Sequence, residues 1–581
     1  MIRCALAVIA ALGAALALPS AASAHAYLIN TAPAASVVLH GAPRDVSLTY
    51  DEPVEPRFAI VSVTNPAGQQ ETTAAVHRSP TNPDTLVARL APGLAEGWYL
   101  VYWRAISLDG HPVQGAFTFA VGPSPGPAPQ FRVPNVSATA ATPPLLITRW
   151  VMFLAVMVSI GLFAMRLLVA RPVIRRLPGA SLRALSRTAV VSSVVGLVAI
   201  PLYLDFSTAN DSLRSVFDLG GLAPLFRVTA FGRALLDLEL CFALFCVAAW
   251  LALWLDRPER PVRSVAELLS LGGVVLAGCA VLTVPGVAGH ASQTSPRGFS
   301  LAADWVHLLS GAVWLGGLLG LLVLWLKVSE NVPEGLPTRV QVLGVVVPRF
   351  SNVAFACVVV LLVSGTVATI IHLPAVDALW MTGYGVTILV KLGLLVGAVG
   401  LAARNLLRTK PQLMAARERR DVGVPAARKL GALVGGEAAV VIGAVFAAAL
   451  LSSLAPPPPS YALAGSAAAH VGPGPVAASV QRAGYRLGLL VSPNKAAAPD
   501  SFGLRITKGG IPVRGASVTV TFNHLEMQMP QQQYTLSEVR PGLYSRKAPA
   551  LVMVGKWGLS FQVTPKSGAP FSAFIVDQAN G

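Results

Sequence analysis

Disulfide bonds do not organise this chain. Of its five cysteines, one lies at position 4 and four, at 241, 246, 279 and 357, sit inside long apolar segments, so no soluble part carries a disulfide framework. Charge is also scarce: charged residues are 12% of the 581, and Asp and Glu number 27 against 44 Lys and Arg. With 54% hydrophobic residues, this balance excludes an ordinary soluble protein and points to membrane spans. A net charge of +17 could suit nucleic acid, but the basic residues form no binding stripe. They gather in alternate loops between apolar segments, the positive-inside pattern of a multi-pass protein. No catalytic triad, phosphate loop or redox-cofactor fingerprint is present, so neither an enzyme nor a nucleic-acid partner is expected.

What is there begins with a leader. Residues 1–24 carry Arg3, an apolar run from Ala5 to Leu18 and then PSAASA, a secretory signal peptide with a small-residue cleavage site at Ala22-Ser23-Ala24. Cleavage there leaves His25 first in the mature chain, where its free α-amine and imidazole can chelate one metal ion. Residues 25–122 hold short alternating runs such as VSLTYDEPV, AIVSVTNPAG and GAFTFAVG, broken by Pro, Gly and Asn turns. They are predicted to form an extracytoplasmic all-β domain, a Greek-key β-sandwich. Near its end, Asp109 and His111 flank Gly110 on a turn, so both side chains can face one external ligand.

Two stretches of this domain, HAYLINTAPAASVVLHGAPRDVSLTYDEPVEP and YWRAISLDGHPVQGAFTFAVG, resemble the copper-resistance protein CopC. The resemblance implies that His25, Asp109 and His111 bind Cu(II). Nitrogen donors with a carboxylate suit that ion better than Cu(I). Some members of the family carry a second, methionine-rich Cu(I) site. There is no Met between His25 and Pro144, so that site is expected to be absent.

A Pro-, Ala- and Ser-rich linker, 123–144, reads as an extended tether. Residues 145–455 then hold eight apolar segments, roughly 145–170, 188–206, 233–255, 265–287, 302–326, 350–372, 384–404 and 432–454. Each is near the ~20 residues a helix needs to cross a bilayer, so an eight-helix transmembrane bundle is predicted. Lys and Arg crowd the odd connections, whereas the even ones hold only Arg214, Arg227 and Arg297. Odd connections are therefore expected in the cytoplasm of a bacterial plasma-membrane protein, with both terminal domains outside.

On that topology His290, Asp304 and His307 gather at the outer mouth of the bundle. Asp304 and His307 are three apart and share a helix face with Gly311 and Trp314. Ionisable residues at a membrane helix are costly unless paired or liganded, so the group is a candidate site where metal enters; a structural cap is the alternative. The runs GHAS, DWVHLLSGAVWLGGL, RFSNVAFACVVVLLVSGT and YGVTILVKLGLLVGAVGLAARN resemble the CopD family of copper-resistance membrane proteins. That resemblance implies copper handling at the membrane. Met152, Met157 and the four buried-segment cysteines are soft donors that could pass Cu(I), or simply core packing. Lys391 and Glu437, inside spans seven and eight, are expected to face the interior, where they could pair with each other.

A second linker, 456–478, leads to residues 479–581, predicted to be a C-terminal extracytoplasmic β-sandwich. Its segment NHLEMQMP offers His524, Met527 and Met529, a soft set suited to Cu(I); an exposed Met-rich loop is the alternative. The G-L-Y and V-G-K-W-G-L runs resemble the YtkA-like domain. Together these readings predict a copper-binding, copper-transporting membrane protein that captures external Cu(II) and passes it to the bundle. Its partners would be copper, the lipid bilayer and periplasmic copper chaperones. A haem- or quinol-linked cupric reductase, and a copper sensor or buffer without transport, are the alternatives.

Overall fold

The computed structural model describes residues 28–34, 37–50, 54–106, 112–126, 142–174, 179–212, 230–256, 262–289, 296–329, 336–415, 420–454, 467–496, 498–525, 532–552 and 555–580, with isolated positions between them. The chain divides into two compact units, one holding the eight long helices and the other both β-rich parts.

The first β-rich part has strands β1 (Leu28–Ala32), β2 (Val38–Leu39), β3 (Asp45–Tyr50), β4 (Ile60–Thr64), β5 (His77–Arg78), β6 (Thr85–Arg89), β7 (Gly97–Ile106) and β8 (Pro112–Val121). They form two four-stranded sheets, ordered β1-β3-β6-β5 and β2-β8-β7-β4. In β3, DVSLTY alternates strictly, so Val46, Leu48 and Tyr50 point inward while the residues between stay at the surface. Those side chains meet Val61, Val63, Val101, Trp103 and Phe119 from the facing sheet in one apolar core. Gly115 is needed there: a Cβ would lie 2.7 Å from the Trp103 ring. The central hairpin pairs β7 with β8 from Gly97↔Val121 to Ile106↔Pro112.

Among the described residues, the helical unit has eight helices long and apolar enough to cross a membrane. They are α1 (Pro143–Ala164), α2 (Arg183–Ser212), α3 (Ala230–Leu255), α4 (Val265–Ala288), α5 (Arg297–Lys327), α6 (Arg339–His372), α7 (Gly383–Arg404) and α8 (Arg420–Leu451). Several run past the apolar segments that announce them, α2, α6 and α8 most of all, because helical hydrogen bonding continues into the polar turns at their ends. α1 goes on through a π-helical turn, Met165–Ala170, and a short helix, Arg171–Ile174. Small residues set the closest crossing. Gly161 of α1 lies against the backbone of Ala312 and Gly316 of α5, leaving no room for a Cβ on either glycine. The surrounding core draws Leu315, Leu318, Leu343, Val346, Leu430 and Val434 from α5, α6 and α8. Arg149, buried near the start of α1, donates from Nε to the Tyr203 hydroxyl of α2 at 2.9 Å and from Nη1 to Ser453, just past the end of α8. Those bonds, with the guanidinium carbon 5.2 Å from the Tyr203 ring centroid, satisfy a charge that would otherwise be costly to bury.

The second β-rich part adds β9 (Ala469–Val471), β10 (Val476–Arg482), β11 (Tyr485–Ser492), β12 (Asp500–Lys508), β13 (Ile511–Pro512), β14 (Ser517–His524), β15 (Gln532–Arg540), β16 (Leu543–Ala548), β17 (Gly555–Thr564) and β18 (Phe571–Ala579). Nine of these run in the order β10-β11-β12-β16-β15-β14-β17-β18-β9, with β13 on β12. Alternating inward residues of β11, β12, β14 and β17, among them Leu487, Leu504, Val520, Phe522 and Phe561, fill its core.

Candidate metal site

The residues of the proposed Cu(II) site, His25, Asp109 and His111, lie outside the described residues, as do His290, Met527 and Met529. Asp109 and His111 fall in the stretch 107–111 that joins β7 to β8. Asp304, His307 and His524 are described.

α5 carries Asp304 and His307 one turn apart, both half-buried. Asp304 turns toward α4, where Gly286 makes room: a Cβ there would lie 3.0 Å from Oδ2. His307 turns toward α6, seated over Gly365, with Nδ1 2.9 Å from Ser364 Oγ. The Ser364 hydroxyl donates to the Val360 carbonyl at 2.6 Å, so it accepts from His307 and fixes the Nδ1–H tautomer. The lone pair is thereby left on Nε2. Lys391 Nζ of α7 faces that atom at 3.4 Å. Asp304 is within Coulombic reach of the same ammonium.

The expected pairing of Lys391 with Glu437 does not occur. Glu437 accepts instead from Trp314 Nε1 of α5 at 3.0 Å, while Lys391 turns to the Asp304–His307 turn of the same helix. Both charges lie inside the bundle, but each found a nearer polar group than the other.

A ring held by Nδ1 and open at Nε2 is the arrangement a metal-ligating histidine adopts. The Lys391 ammonium points at the electron pair a cation would use. One turn farther along α5, the Met157 methyl rests at Gly311, where a Cβ would be 3.0 Å away. Met157 and Cys357 pack against the main core, and Met152 and Cys246 are buried. Among the described residues no three of His, Cys, Asp and Glu converge on a common point that could hold a metal ion. His372, at the end of α6, donates from Nδ1 to the Ala368 carbonyl at 2.8 Å.

In the second β-rich part, β14 ends on His524, opposite Trp557 of β17. The imidazole is 3% exposed and stands edge-to-face on the Trp557 ring, centroids 4.9 Å apart. Sequence reasoning missed Ser364 and Arg149. An arginine opening an apolar run, as in TRWVMF, was the available signal for the second; nothing in the sequence marks the first.

Comparison with known proteins gives a consistent answer. The CopC domain family matches residues 28–122, and the copper resistance protein D-like N-terminal domain matches 139–296. Copper resistance protein D matches 344–451 and the YtkA-like family 480–562. Asp304 and His307 fall between the two membrane matches. The chain is 26% identical over 544 residues to copper transport protein CutJ of Bacillus subtilis, covering 93% of each. It is 35% identical over 98 residues to protein YobA of Escherichia coli, 17% of this chain and 79% of that one. With copper resistance protein C of Pseudomonas syringae pv. tomato it shares 33% over 105 residues, 17% of this chain and 82% of that one. The chain is a multi-pass membrane protein of the CopC/CopD copper-resistance family, with a YtkA-like domain on the same polypeptide.

Proposed function

We propose that the protein takes up copper at a bacterial plasma membrane. Outside the cell, His25, Asp109 and His111 capture Cu(II), and the ion passes by ligand exchange to His290, Asp304 and His307 at the mouth of the bundle. His524, Met527 and Met529 offer a softer set for Cu(I), and periplasmic copper chaperones are candidate donors. Membership of a family whose relatives are named for copper transport and copper resistance supports the substrate.

The observation that carries the reading is the setting of His307. Ser364 orients the ring so that Nε2 keeps its lone pair, and Asp304 on the preceding turn supplies a carboxylate. An arriving cation takes Nε2 only as the Lys391 ammonium withdraws from it. Lys391 then has Asp304 as its remaining counter-charge, which ties the release of one cation to the arrival of the other.

Copper accumulation by cells at limiting supply tests this. His307→Ala should abolish accumulation while the N-terminal domain still binds Cu(II) and the protein still inserts. Normal accumulation by that variant overturns the reading and returns the Asp304–His307 pair to a structural role.

A further inference from the structure

At the end of the bundle remote from His307, charged side chains from three spans meet in one cleft. Arg166 and Arg171 follow α1, Asp256 follows α3, and Arg263 and Glu267 stand at the start of α4. Asp256 is shared: Oδ2 lies 2.7 Å from Arg166 Nη2 and Oδ1 lies 2.7 Å from Arg171 Nε. Arg166 also donates from Nε to Ser186 at 2.9 Å. Glu267 is engaged as well, accepting at 2.7 Å from the Ser264 backbone in the capping box of α4.

The sum is uneven. Among the described residues lining the cleft, three guanidinium groups face two carboxylates. Arg171 is 5% exposed, and its buried Nη2 has no partner among the described residues. A buried N–H of a charged group left unmet costs more than a neutral one, so Arg171 Nη2 calls for an acceptor that none of the described residues supplies. The enclosed room among these side chains is small, ≈ 10 Å³, about that of a single oxygen-sized group.

The surroundings identify the acceptor. All five residues lie near the ends of apolar helices: Arg166 and Arg171 in the last turns of the span Pro143–Val173, Asp256 just past α3, and Arg263 and Glu267 at the start of α4, so a bilayer crossed by these helices would bring its headgroups to them. The same helices leave Leu168, Trp254, Leu268 and Leu269 exposed, between 49% and 71%. We propose that this cleft holds one phosphoryl oxygen of an anionic phospholipid, gripped by Arg171 Nη2 and Arg263, with the acyl chains lying along those apolar side chains. Basic pockets between spans recognise lipid phosphate in this way, and arginine suits the geometry of a phosphate better than lysine does.

The test uses the full-length protein in nanodiscs of equal phosphatidylglycerol and phosphatidylcholine, released and weighed by native mass spectrometry. One phosphatidylglycerol should be retained in about tenfold preference over phosphatidylcholine. Arg263→Gln should remove most of that preference and Arg263→Lys should keep part of it. Arg171 is left unaltered, because Asp256 depends on its Nε. Equal retention of the two lipids by the unaltered chain overturns the proposal, and so does full preference in Arg263→Gln. Inorganic phosphate should not raise the thermal midpoint in phosphatidylcholine alone. A rise matching that of the anionic lipid would assign the cleft to a free anion and overturn the lipid reading.

Discussion

Lys391 faces Nε2 of His307, the imidazole nitrogen through which that ring would bind a cation. Two unit charges at 4 Å repel by about 4 kcal/mol at an effective dielectric of 20, so copper and the ammonium cannot share that position. Lys391→Met should therefore tighten copper binding by the full-length protein at least about tenfold. Competition against a chelator of known affinity checks this, and an unchanged constant would mean that the ammonium is no obstacle. A second residue-scale expectation concerns the YtkA-like domain. Burial lifts Asp500 to about 7, with the neighbouring charge of Asp577 adding to the effect, and burial lifts Asp577 to about 6. Both carboxyls hold their protons more tightly folded than unfolded. Their contribution to stability is thus full below the ordinary carboxylate range and is lost as pH rises through 6 to 7. Each tenfold change in proton affinity carries about 1.4 kcal/mol, so the effect is measurable. Hydrogen exchange in β12 and β18, corrected for intrinsic rates, should be slower at pH 5 than at pH 8. Asp500→Asn should flatten that difference while keeping an acceptor for the Lys495 amide, 3.1 Å away.

Among the elements, the α1–α5 crossing has the least tolerance. Any side chain at Gly161 meets the backbone of Ala312 rather than a flexible group, so the helices must separate. Overpacking of this kind costs typically about 1–3 kcal/mol, and more when backbone is struck. Gly161→Leu should lower the thermal midpoint of the purified protein by several degrees. A midpoint equal to that of the parent would show that the crossing yields easily. The helices themselves were legible in the sequence, since about 20 apolar residues in a row have few other readings. Which faces meet was not. α5 places Asp304 and His307 on one stripe by periodicity alone, yet Ser364 and Lys391 come from helices far along the chain, and no spacing links them to it. The same limit misdirected Lys391 toward Glu437. In the tail, alternation announced β14, but only the register with β17 puts His524 against Trp557.

The whole molecule was readable in outline because composition changes sharply at each boundary, from alternating β patterns to unbroken apolar runs and back. The proposed N-terminal Cu(II) site rests on a free terminal amine at His25, which cleavage after Ala24 would create. One residue added ahead of His25 would remove the free-amine chelate while keeping the imidazole. Cu(II) affinity of the full-length protein should then fall at least about tenfold with folding unchanged, and equal affinity would remove the N-terminus from the ligand set. A last consequence comes from Arg149. Through it, the chain's way into the bundle at α1 and its way out after α8 are bonded to one another. In genetic terms the membrane part is a cassette that departs from and returns to one point.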